Sequence, residues 1–74
     1  MEPMFCKIRT TAVQWVSPIA KDFRKQGQLS DASGEVLIIL GHASTTLHAV
    51  TYEWFAVFSS LGIGWIDVRH TRSV

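Results

Sequence analysis

Residues 41–46 of this sequence read Gly-His-Ala-Ser-Thr-Thr. Ahead of a helix, His42, Ser44, Thr45 and Thr46 would set hydroxyls beside free backbone N–H groups, an arrangement that holds a carboxylate, phosphate or sulfate. The string is not a phosphate-loop motif, because no lysine follows it, and the plainer role of Ser44 and Thr45 is to cap that helix. Other reactive types are scattered. His42 and His48 stand six residues apart, whereas two helical histidine ligands sit four apart, so no metal pair is expected. His48 and Tyr52 would share a helix face, but Glu53, five residues from His48, is badly spaced to orient a base. Cys6 is the single thiol. None of these groups completes a catalytic set, so the expectation is a non-enzyme with no cofactor and no metal.

The elements that would position these residues follow from periodicity. Val36, Leu37, Ile38, Ile39 and Leu40 form an apolar run between Gly34 and Gly41, short and rich in aliphatic residues, which suits a central strand covered on both faces. From Ser44 onward Leu47, Val50, Trp54, Val57, Phe58 and Leu61 recur at spacings of three and four, the stripe of an amphipathic helix ending at Gly62. Upstream, residues 4–16 are β-branched and aromatic enough for a first strand with an irregular start. Ser17 and Pro18 then signal a helix entry, with the helix running over residues 18–26 to stop at Gly27. Residues 28–33 read as a surface loop. Ile63, Trp65, Ile66 and Val68 mark a third strand over residues 63–69, leaving residues 70–74 as a frayed tail. The order strand, helix, strand, helix, strand implies a two-layer α/β sandwich, a small sheet with both helices on one face.

Composition limits the function classes. At 74 residues the chain has room for one domain, residues 1–74 with a core over about 4–69, and an apolar share of 47% must fill it densely. A net charge of +1 supplies no general field for nucleic acid or an anionic bilayer. Lys7, Arg9, Lys21, Arg24 and Lys25 are read as solvated side chains, and no nucleic-acid motif accompanies them. One cysteine excludes an internal disulfide and suits a reducing cytoplasm. The first ten residues lack a signal-peptide apolar core.

Between residues 17 and 69, Ser17-Pro18, a short helix, Gly34-Glu35-Val36-Leu37, an apolar strand, a small polar loop and a second helix carrying Trp54 resemble the TusA-like (SirA-like) small sulfur carriers. In that family a Cys-Pro dipeptide opens the first helix, where the helix terminus favours the thiolate that carries sulfur between partner proteins. Here the family cysteine position is Ser17, and an alcohol cannot take that role. The resemblance therefore implies the fold and a protein partner without the family's sulfur chemistry. Cys6 is an alternative carrier thiol, lacking a helix terminus beside it.

The aromatic side chains supply the main functional expectation. Tyr52, Trp54, Phe55, Phe58 and Trp65 are too many for one helix face, so some are expected on the surface as a contact for a protein partner or a second copy. A membrane span over residues 36–66 is the rival reading, since that stretch contains no Lys or Arg. Gly41, His42, His48 and Glu53 interrupt it, and an ionisable group at the bilayer centre is costly. The expectation is a cytoplasmic interaction domain.

Overall fold

The computed structural model describes residues 4–19 and 24–74. They form seven strands, β1 (Met4–Ile8), β2 (Thr11–Trp15), β3 (Lys25–Ser30), β4 (Leu37–Leu47), β5 (Val50–Ser59), β6 (Gly62–Asp67) and β7 (Thr71–Ser73). Short 3-10 turns lie at Asp31–Ser33 and Val68–His70. The strands pair antiparallel in the order β3-β2-β6-β5-β4-β1-β7, in a curled half-barrel sheet. The expected α/β sandwich is thereby corrected to an all-β fold, with no helix of 7 or more residues among those described.

The second expected helix is two strands of one hairpin. β4 runs on through Gly41, His42, Ser44, Thr45 and Thr46, turns at His48 and Ala49, and returns as β5. Two physical causes produced the false helical stripe. Phe55 and Val57 pack with the core while Tyr52, Trp54 and Phe58 sit on the opposite parity, so a strand apolar on both faces satisfies many periods at once. Its Val, Thr and aromatic content is that of a strand. The turn carries neither Gly nor Asn, the residues that usually announce one.

The first expected helix is also absent where the chain is described. Ser17 and Pro18 lie in irregular backbone, and Ser17 Oγ accepts a 3.1 Å hydrogen bond from the Ile19 N–H. Lys25 and Gln26 belong to β3, as do Gln28, Leu29 and Ser30 of the expected loop. The rest of that helix, residues 20–23, lies outside the described residues. Thr71–Ser73, expected as a tail, pair with β1 as β7. The apolar stretch over residues 36–66 is strand and turn, and no helix among the described residues is long and apolar enough to cross a membrane.

Inward-facing side chains make one small core: Cys6, Ile8, Ala12, Leu29, Leu37, Val57 and Ile66, with Ile39, Phe55 and Leu61 packed against them. At the junction of β2 with β6 the ladder has a single registered pair, Trp15 with Trp65. Glutamine side chains supplement it. Gln14, 0% exposed, donates through Nε2 to the Gly62 carbonyl at 3.1 Å and to Gln26 Oε1 at 3.2 Å, and accepts from Ser59 Oγ at 2.5 Å. Gln26 Nε2 donates to the Ile63 carbonyl at 3.0 Å. These bonds leave no buried polar side-chain atom without a partner among the described residues. Gly64 makes room for them, since a Cβ there would collide with Gln26 Oε1 and with the Gln14 side chain.

Two stability effects follow. His48 and Ala49 both have positive φ, 50° and 64°, the primed turn that glycine accepts without a Cβ penalty. Ala49→Gly is expected to raise stability by about 0.5–1 kcal/mol, read as a higher urea midpoint at unchanged slope. Gly64→Ala is expected to lower it by about 2 kcal/mol. A midpoint equal to the parent's would contradict the packing of the glutamine pair over Gly64.

Candidate functional site

The outer face of the sheet carries the side chains that the core does not use, and strand register arranges them in rows. Phe5, Ile38, Phe58 and Ile63 are consecutive cross-strand partners on β1, β4, β5 and β6. Gly41, Ala56, Trp65 and Trp15 make the next row, where two small residues leave space beside two indoles. Ala43, Trp54 and Asp67 form the third, and Thr45 with Tyr52 the fourth. Because side chains alternate along a strand, the two-residue spacing of Tyr52 with Trp54, and of Ile63, Trp65 and Asp67, sends each set to this one face.

At one end of that face is a pocket of about 210 Å³ lined by Val13, Trp15, Tyr52, Trp54, Asp67 and His70. Its polar contacts are tightly committed. Trp54 Nε1 donates to Thr45 Oγ1 at 2.8 Å, and the Tyr52 and Trp54 rings lie 6.3 Å apart, tilted by 35°. Asp67 Oδ1 accepts from the Arg69 N–H at 2.9 Å, capping the Val68–His70 turn. The Arg69 guanidinium grips the same carboxylate in a fork, Nε to Oδ1 at 3.1 Å and Nη2 to Oδ2 at 2.7 Å. It also stands 5.2 Å from the centre of the Tyr52 ring, a cation–π contact. Burial by itself would raise the Asp67 carboxyl; the Arg69 hydrogen bonds and the Arg69 and His70 charges outweigh it and hold it below the usual aspartate range.

The residues singled out from sequence fall in several places. Tyr52, Trp54, Phe58 and Trp65 share the outer face, whereas Phe55 has the inward parity and packs against the core. His42, Ser44, Thr45 and Thr46 lie within β4, so the helix N-terminus on which the anion reading rests is absent. His42 and Ser44 meet Glu53 instead: His42 Nε2 is 2.7 Å from Glu53 Oε2, and Ser44 Oγ donates to the same oxygen at 2.6 Å. The Ser44 bond lowers the Glu53 carboxyl, slight burial opposes it, and His42 adds to the lowering. The serine gives its proton to the carboxylate and makes no bond to the imidazole, so the trio lacks an activated nucleophile.

Ser17 lies in irregular backbone, and Cys6 is 2% exposed with its thiol pushed up by burial. Among the described residues no cluster of three or more His, Cys, Asp or Glu could hold a metal ion. Reasoning from sequence missed Val13, Trp15, Asp67, Arg69, Phe5, Ile38 and Ile63 as members of this face. The signal that could have found them is spacing by two, in Val13 with Trp15 and in Ile63, Trp65 and Asp67. No family model, curated protein or solved structure matches the chain.

The Asp67 arrangement sets an acid dependence. A carboxyl lowered in the folded state contributes stability that is present above the unfolded value of about 3.9 and lost as pH falls through the folded value. Thermal melts between pH 7 and pH 2.5 are expected to show parent and Asp67→Asn separated by a constant gap near neutrality that narrows below about pH 4. A gap that stays constant to the lowest pH would show that Arg69 does not hold the carboxylate.

Proposed function

We propose that this chain is an interaction domain, acting by binding and not by catalysis, and that it pairs with a second copy of itself sheet face to sheet face. The observation that carries this reading is the row Phe5, Ile38, Phe58 and Ile63, exposed by 43%, 37%, 51% and 62%. Four large apolar side chains stand side by side on hydrogen-bonded strands, a strip about 14 Å long. Leu40, the extra residue where the β4 register shifts between Ile39 and Gly41, adds 54% exposure beside them. Scattered apolar residues on a surface need no explanation, but a contiguous row is the surface of an interface.

A second copy suits this strip for physical reasons. Two such sheets can pack about 10 Å apart with their side chains interdigitated, and a two-fold axis through the row lets each copy supply the same patch. Net charge is +1 per chain, so two copies meet without strong repulsion. Trp65 lies in the neighbouring row, at the edge of the same patch. The lone buried thiol suits a reducing compartment, and a cytoplasmic location belongs to this reading.

Light-scattering mass measured across a concentration series is expected to give a dimer that Phe58→Lys converts to monomer, with an unchanged far-ultraviolet circular dichroism spectrum. A parent protein that stays monomeric to millimolar concentration would overturn self-association. A dimer unaffected by Phe58→Lys and by Ile63→Lys would place the contact elsewhere.

A further inference from the structure

The outer-face pocket is separate from the apolar row, and its chemistry is different. Three of its six lining residues are Trp15, Tyr52 and Trp54, and Asp67 adds a carboxylate. Aromatic faces carry negative potential, so walls of this kind attract a cation, most strongly where water is excluded. The protein already shows the interaction: the Arg69 guanidinium lies over Tyr52 while forked onto Asp67. At about 210 Å³ the pocket is smaller than the roughly 300–1,000 Å³ of a site for a drug-sized ligand. It has the capacity for a compact headgroup or the end of one side chain.

We propose that this pocket binds an organic cation of trimethylammonium size, and that Arg69 is its built-in competitor. A quaternary ammonium has no N–H to satisfy and gives up little hydration on entering an apolar site, so aromatic walls recognise it without further hydrogen-bond acceptors. That matters because Asp67 accepts from both the Arg69 backbone and side chain, and Trp54 donates to Thr45. The Arg69 side chain is 68% exposed whereas that of Asp67 is 10% exposed. The guanidinium therefore covers the carboxylate from the solvent side, and it can swing outward while Asp67 stays in the wall. With Arg69 in place the pair is neutral and the ligand meets the rings together with Val13 and His70; with Arg69 displaced, the carboxylate faces the ligand's charge. The same chemistry is offered by a free quaternary ammonium compound and by a trimethylated lysine side chain.

The full chain is titrated with choline, with its uncharged isostere 3,3-dimethylbutan-1-ol, and with short peptides carrying either trimethyllysine or lysine, at matched ionic strength. Indole resonances of Trp15 and Trp54 report binding. Choline is expected to shift both saturably at millimolar concentration and the isostere at least about threefold more weakly. Arg69→Gln, a change at an exposed side chain, is expected to tighten choline binding about fivefold. Trp15→Phe, with the fold checked by its amide spectrum, is expected to weaken it about threefold. A trimethyllysine peptide binding more tightly than choline would identify a protein side chain as the source, and equal or weaker binding would identify the free compound. Equal affinity for choline and the isostere, no saturable shift with choline, or no gain in Arg69→Gln would each overturn the proposal.

Discussion

The whole sheet depends on how β2 is joined to β6. A backbone ladder there has one registered pair, and the polar side chains of Gln14, Gln26 and Ser59 make the remaining bonds, reaching the carbonyls of Gly62 and Ile63. A buried amide stabilises a fold only when its partners are all present, and here Gln14 is fully buried with both its oxygen and its nitrogen engaged. Gly64 is the companion condition, since its missing Cβ is the space that the glutamines occupy. On the other side of the same junction, Trp15 meets Trp65. The inner polar network and the outer indole pair are two faces of one connection.

That connection determines what the outer face presents. With β2 held beside β6, Val13 and Trp15 come up to Asp67 and the hairpin residues Tyr52 and Trp54, and the pocket has walls from three strands. Across β6, β5, β4 and β1, the row from Phe5 to Ile63 stays open because none of the described residues forms a second layer over it. A chain this short has too few residues to bury both faces of a seven-stranded sheet, so the apolar side chains excluded from the core remain available for contact. Small residues, Gly41, Ala43 and Ala56, lie among the aromatics.

Parts of this arrangement were legible in the chain. Extended structure was readable in residues 4–16, 36–40 and 63–69, where β-branched and aromatic residues cluster, although the single strand expected over 4–16 is two non-adjacent strands, β1 and β2, and the last ends at Asp67 in a 3-10 turn. Tyr52, Trp54, Phe55, Phe58 and Trp65 were expected to include surface side chains because of their number, the first four on a helix and Trp65 on a strand; Phe58 is exposed, whereas Trp54 is 4% exposed and Phe55 packs against the core. The long β4–β5 hairpin was not legible. Its turn is His48-Ala49, with positive φ at residues that do not advertise it, and its return strand is apolar on both faces. β3 was hidden differently: Lys25, Gln26, Gly27 and Gln28 have low strand preference, and pairing with β2 supplies what local preference lacks.

What the amino-acid order determined by itself is composition and alternation: a lone thiol, near-neutral charge, and residue sets spaced by two that must share a face once extended. Which segments become extended was decided by tertiary pairing, because strand partners include distant residues such as Met4 with Ile39, Trp15 with Trp65 and Cys6 with Ser73. A helix satisfies its backbone locally and so leaves its mark in a short window, whereas a strand is completed by a partner that the window does not contain. The Asp67–Arg69 fork is local in sequence, yet its contact with Tyr52 and its place among Trp15 and Trp54 exist only because the sheet curls.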